Sequence, residues 1–388
     1  MRITTSPREC LPTADQELLL AAALLPGEAA LAAWKTWRSR QNPADVDPAS
    51  LRMFPQIHLN LSRGAAGGAG IEGDLDILRR AHRGAWSRNQ RLIAAARPVL
   101  ESMRAAGLAP VLLKGTSLGL TVYGDAGARP MVDVDLLVRP HQALEAGAIL
   151  ASHGFVPQFR FDEQRVRTLN GVGFVHAPID KPAFGAIDLH WRLVPEPCDE
   201  AFDEAVHANA KPATLAALPV MVLDPTDELL LACAHGIRWN PTPPFRWAAD
   251  VDLLVTRAGA AIDWSRFVET TRRHGFTLPV LTALGYVIAT LSTPVPATVV
   301  ADLERVSPGL RERLEFFVRV SPGVEGRFGN VPDYLLRWMR LTRGASLGVR
   351  LGGLPRYLAD CWGCREVSDV PRHAFSLARR RLARPERG

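Results

Sequence analysis

The sequence predicts an α+β protein in which a small sheet-bearing module sits between two helical regions. Three observations carry this. Residues 11–63 and 74–107 show helical texture, interrupted by prolines and by a Gly/Ala-rich run. Residues 109–192 instead alternate short apolar runs with glycine and proline punctuation. From Asp224 onward the texture is helical again. The 388 residues leave room for two or three domains, and 47% hydrophobic with 22% charged residues is the composition of a globular protein with a sizeable core.

Taken in order, Thr13-Ala-Asp-Gln16 reads as a capping box that starts a helix. The apolar run it opens, Leu18–Leu25, ends at Pro26-Gly27; it is too short to cross a bilayer and does not resemble a signal peptide. No later stretch is long and uncharged enough to span a membrane, so the expected location is cytoplasmic. Pro43, Pro48 and Pro55 interrupt the first helical region, and "RGAAGGAGIEG" at 63–73 breaks it. Asp74 to Gly107 reads as a long helix with Leu75, Leu78, Ala81 and Ala85 on one side and a kink or break near Pro98. "APVLLKG" (109–115) has the pattern of a short buried strand. "TSLGLTVYG" follows as a short helix, with Thr116 as cap and Gly124 as stop. A strand is expected over 131–138, then a helix opened by Pro140 and ended by Gly154. Two more strands are expected near 171–177 and 184–192, joined by a turn at 178–185. The division is therefore 1–107 (N-terminal helical region), 108–195 (α/β core), 196–370 (C-terminal helical domain) and 371–388 (basic tail).

Net charge is +6, and residues 371–388 alone contribute six arginines against Glu386. The rest of the chain is close to neutral, so net charge does not argue for a nucleic-acid-binding body. Within the tail, Phe375, Ala378 and Leu382 share a stripe. The tail reads first as a solvated terminus, with contact to an anionic surface through a basic amphipathic helix as the alternative. Five scattered cysteines make no disulfide framework, and Cys361-Trp-Gly-Cys364 lacks the context of a redox or zinc motif.

The chemistry concentrates in "RPMVDVDLLVRP", residues 129–140. Asp133 and Asp135 at i and i+2 point to one face of the strand, roughly 7 Å apart at Cα, with Val132, Val134 and Leu136 turned to the core. Two carboxylates this close repel unless a cation sits between them, and a hard divalent ion is the natural partner. In "GAIDLHWRL", Ile187, Leu189 and Trp191 alternate with Asp188, His190 and Arg192, which puts Asp188 on a polar face where it can complete the cluster. Upstream, Lys114-Gly115-Thr116-Ser117 closes a strand and opens a helix. This is a phosphate cradle in outline: a glycine for close backbone approach, hydroxyls and a cation, without the spacing of a Walker A loop. Arg129 stands ready to meet a triphosphate from the other side. His190, His235 and Arg246 are candidates for an acceptor site, against the commoner fate of packed, satisfied side chains. A second D-V-D, Asp250 and Asp252, lies in a helical context where i and i+2 do not share a face, so Asp250 is read as an ion-pair or helix-contact residue.

"LLKGTSLGLTVYGDAGARPMVDVDLLVRP" followed by "AIDLHWRL" resembles the DNA polymerase β-like nucleotidyltransferase superfamily. More closely, it resembles the bacterial, largely uncharacterised nucleotidyltransferase family with L-K-G, Y-G, R-P-x-x-D-x-D-L-L-V and D-x-H-W in this order. The resemblance covers 108–192 specifically and 224–255 more loosely. It implies a small mixed-sheet nucleotidyltransferase core that transfers a nucleoside monophosphate from an NTP, with ATP as first candidate, to an acceptor. Pyrophosphate is released by a two-metal mechanism using Mg²⁺ or Mn²⁺. Carried over, Gly115 and Thr116 match the phosphate-binding turn, where this chain has Gly-Thr in place of the usual Gly-Ser or Gly-Gly. Asp133 and Asp135 match the metal pair. Asp188 matches the third acid, which helps hold the metal and activates the acceptor hydroxyl. Lys114 and Arg129 match basic positions. The acceptor, whether a small molecule, a protein or RNA, stays open. The alternative reading is a catalytically inactive nucleotide-binding regulatory module.

Overall fold

Among the described residues, seven strands form one mixed sheet in the order β3-β4-β5-β2-β1-β7-β6. The strands are β1 (Val111–Leu112), β2 (Val134–Leu137), β3 (Phe155–Pro157), β4 (Gly171–His176), β5 (Ala186–His190), β6 (Lys211–Leu215) and β7 (Leu218–Val222). The computed structural model describes residues 10–63, 70–176, 185–240, 242, 244–322 and 330–382, the side chains of 378 and 380–382 excepted. β2 runs parallel to β5 and antiparallel to β1, and β1 in turn runs parallel to β7. The architecture is α+β, with helices before and after the sheet.

The expected strands are present, shorter than the runs that signalled them. The turn expected at 178–185 falls, but for Gly185, outside the described residues. Three strands had no expectation. β3 is only three residues long. The hairpin of β6 and β7 extends the sheet into a stretch read as helical; its turn at Ala216 and Ala217 takes positive φ without glycine, so no turn signal marked it.

Thr13 and Gln16 form the expected capping box, and Gly124 and Gly154 stop their helices at positive φ. The long helix runs from Glu72 to Ala105 straight through Pro98 without a break. Its Asn89 side chain donates to the carbonyls of Ala126 and Arg129 at 2.7 and 2.9 Å and accepts the Met131 N–H at 2.9 Å. One buried amide thus pins the segment that leads into β2.

Two apolar clusters flank the sheet. One joins the long helix to β2, β4 and β5 through Leu100, Val134, Leu136, Phe174 and Ile187. The other joins the N-terminal helices to the C-terminal ones through Trp34, Trp37, Leu230, Leu254 and Val287. No helix among the described residues is long and apolar enough to cross a membrane. All five cysteines are free thiols. The tail lies on a helix, Asp369–Leu382, with Phe375 exposed. The side chains of Ala378 and Leu382, and the end from residue 383 with Arg384 and Arg387, are outside the described residues.

Candidate active site

Asp135 and Asp188 stand opposite one another in the parallel register of β2 and β5, and His190 pairs with Leu137 two positions on. The period of two puts Asp188 and His190 on one face of β5 while Ile187 and Leu189 fill the core. Each of Asp135, Asp188 and His190 offers a ligand atom, and these atoms all lie within 4.8 Å of one another. β4 makes room for them. Gly173 faces Asp188 and Gly171 faces His190; a Cβ on Gly173 would come within 3.0 Å of Asp188 Oδ1, and one on Gly171 within 2.8 Å of His190 Nδ1.

Asp133 precedes β2 and lines the same cavity. Burial, then the charges of Asp135 and Asp188, push its carboxyl up to about 6. Asp188 is raised too, by burial and then by Asp135. For Asp135, burial acts upward, but the bond from His190 Nε2 at 3.0 Å and Lys114 Nζ at 2.7 Å outweigh it and hold the carboxyl low. Asp135 and Asp188, with the His190 imidazole beside them, are a donor set suited to a divalent cation. Asp133, expected with them, lies outside that group and lines the cavity next to it. Val132, expected in the core, is 53% exposed because the extended pairing of β2 begins only at Val134.

The K-G-T-S turn is built differently from the cradle read in the sequence. Helix begins at Lys114, with Leu113 rather than Thr116 as its cap. Thr116 is buried with its hydroxyl toward Met131 Sδ, and Ser117 is wholly buried. Lys114 itself holds a left-handed φ of +47°, a conformation that costs a non-glycine residue about 1 kcal/mol. Its ammonium reaches Asp135 and lies 3.5 Å from His190 Nε2. Gly115 is needed for packing, since a Cβ there would meet Arg129 Nη1 at 2.8 Å.

Arg129 is not free. It is 7% exposed and binds Asp250 through two nitrogens at 2.9 and 2.8 Å, and Asp250 also accepts the Tyr123 hydroxyl at 2.7 Å. Asp250 is therefore an ion-pair residue, as its helical context implied, and Asp252 accepts from Thr293 at 2.7 Å.

All of this opens onto a cavity of about 450 Å³. Lys114, Gly115 and the three carboxylates form one wall; His235 and Arg246 stand on others. Arg246 donates to the Pro130 carbonyl at 2.7 Å, and burial, then Arg129, lower it to about 10. Arg52, from the N-terminal helices, also reaches the cavity and adds to the positive potential at Arg246.

Glu228 and Arg238 also line it, and neither was among the expected site residues. Glu228 lies in the first turn of the helix Pro225–Gly236, where acids are ordinary. In fact burial pushes its carboxyl up to about 8, with the Ser117 hydroxyl, Arg129 and the Lys114 N–H facing it. A periodicity count over "DELLLACAH" would have placed Glu228 on the buried side with Leu231. Nothing local marks Arg238.

A family model described as uncharacterised nucleotidyltransferase matches residues 71–292, more than half of the chain. The chain belongs to that family. The matched segment holds Asp133, Asp135, Asp188 and the lysine turn; of the residues named around the cavity, only Arg52 lies outside it. No curated protein matches the chain.

Proposed function

We propose that this nucleotidyltransferase moves a nucleoside monophosphate from an NTP, ATP first among the candidates, to an acceptor hydroxyl and releases pyrophosphate. The observation that supports it best is the in-register pair of Asp135 and Asp188, with His190 beside them, in a cavity whose other walls carry cations. Asp133, Asp135, Asp188 and His190 would hold Mg²⁺ or Mn²⁺. The bound ion supplies neutralisation of the triphosphate and acidification of the acceptor hydroxyl.

The chain's own residues do the rest. Asp188, its basicity raised by burial and by Asp135, takes the proton of the acceptor hydroxyl. The acceptor oxygen bonds to the α-phosphorus as the bond from that phosphorus to the β-bridging oxygen breaks, and pyrophosphate leaves with the bonding pair. Lys114 and Arg246 offset the charge that develops on it. Arg129 acts at one remove, through Asp250 and Gly115, by fixing the wall on which the phosphates lie. The proposed setting is cytoplasmic, where NTP is abundant.

Pyrophosphate release from each of the four NTPs tests this, in the presence of Mg²⁺ or Mn²⁺ and cell extract as the acceptor source. The expected result is release with one NTP preferred, lost in Asp188→Asn while nucleotide binding persists. Equal release by the variant contradicts the reading.

A further inference from the structure

We propose that the end of the cavity around Arg238 binds the anionic group of a small acceptor, a phosphorylated or carboxylated compound that also carries the reacting hydroxyl. This rests on the nucleotidyl-transfer reading above and names its second substrate by class.

His235 and Arg238 line both the main cavity and a narrow crevice that continues from it, whose far side carries Glu196, Arg319 and Arg337. Four guanidinium groups gather there with three carboxylates. Arg319 is bound to Glu196, Arg337 to Asp333 at 2.6 Å, and Arg340 to Glu315 at 3.4 Å. Arg238 is the surplus cation: it is exposed where the cavity meets the crevice, and its guanidinium has no hydrogen bond or ion pair to any described residue. Arg319 and Arg337 act against its charge, and Asp333 and Glu196 act for it. An exposed guanidinium without a carboxylate of its own is open to an anion that enters the cavity.

The position suits the second substrate. His235 lines both the main cavity, with Lys114, Asp135 and Asp188, and the crevice, with Arg238 and Arg319, so it stands where the two meet. An acceptor anchored at Arg238 would extend its hydroxyl past His235 toward Asp188. Capping does not account for Arg238, although cations do favour helix C-termini. The helix Pro225–Gly236 ends beside it, but the side chain that bonds a carbonyl of its last turn is Arg319, to Ala234 at 3.1 Å. The cavity has the volume of a small-molecule site.

Calorimetric titration of the full-length protein tests the proposal, with inorganic phosphate, glycerol 3-phosphate and glycerol as probes. Each is titrated with and without saturating α,β-methylene-ATP and Mg²⁺. The expected result is that both anions, but not glycerol, bind the analogue-loaded protein. Arg238→Gln should weaken them at least tenfold and Arg238→Lys less, with the affinity for the analogue changed under twofold and thermal melting unchanged. Absence of anion binding to the loaded wild type, or anion binding unchanged in Arg238→Gln, overturns it. Equal weakening of the analogue assigns Arg238 to the triphosphate instead, and tighter Arg238-dependent binding of an RNA end than of glycerol 3-phosphate excludes a small acceptor. Should no α,β-methylene analogue of the four NTPs bind, the nucleotidyl-transfer reading fails by itself. Phosphate binding to the free protein then decides: loss in Arg238→Gln leaves the anion site standing, and no change removes it.

Discussion

Asp135 and Asp188 face each other across neighbouring parallel strands, and His190 and Lys114 both reach Asp135 Oδ1. Like charges so placed are tolerated because cations stand nearby and, on the proposed reading, because a divalent ion completes the site. Removing Asp188's charge should therefore relieve repulsion in the metal-free protein while removing a ligand. Asp188→Asn is expected to melt at the wild-type temperature or higher without metal and to lose the upward shift that Mg²⁺ gives the wild type. Saturation a hundredfold above Kd corresponds to about 2.7 kcal/mol. Its turnover should fall by about 10²- to 10⁴-fold, the range for loss of a general base. Melting curves with and without Mg²⁺ are the check.

Lys114 shares Asp135 with the proposed ion, so the two compete for one oxygen. Lys114→Met is expected to bind Mn²⁺ more tightly in the absence of nucleotide and to bind nucleotide more weakly. Electron paramagnetic resonance of free Mn²⁺ and fluorescence titration with a labelled NTP measure the two sides. Weaker Mn²⁺ binding by the variant would show that Lys114 does not compete with the ion.

The Arg129–Asp250 pair is buried on both sides. Truncating one partner leaves an uncompensated buried charge, which costs about 3–5 kcal/mol. Arg129→Met and Asp250→Asn should each lower urea stability by an amount of that order. The double variant should recover part of it, since neither buried charge then remains alone.

Glu228 gives a pH signature. Its carboxyl is raised from 4.5 to about 8 in the folded protein, so between these values the native state holds a proton that the unfolded chain has released. Stability must then fall as pH rises through this window, by up to about 1.4 kcal/mol per pH unit from this group. Glu228→Gln keeps the shape of the protonated acid and should flatten the slope of unfolding free energy between pH 5 and 8. An unchanged slope would mean that Glu228 is ionised in the native protein.

The strand–turn–helix order and the carboxylates were legible because their signals are local. Period-two alternation placed Asp188 and His190 together; the D-x-D pattern found Asp135, but Asp133 precedes the paired strand and stands outside the group of Asp135, Asp188 and His190. Partners distant in sequence were not legible. Arg129 looked free because Asp250, the residue that binds it, comes 121 positions later. Thr116 and Ser117 looked like phosphate ligands because only the packing against Met131 and Glu228 shows that they face inward. The hairpin over 211–222 escaped notice because a turn made of two alanines carries no glycine or proline. Arg238 owes its significance to a charge balance assembled from helices on both sides of it.

On the proposed function, Asp133, Asp135 and Asp188 form one metal-dependent transfer site. Incubation with each α-³²P-labelled NTP, Mg²⁺ or Mn²⁺ and cell extract tests it most directly, comparing wild type with Asp133→Ala/Asp135→Ala. Label transfer by the wild type and none by the double variant is the expected result. Transfer that persists in the variant would contradict it.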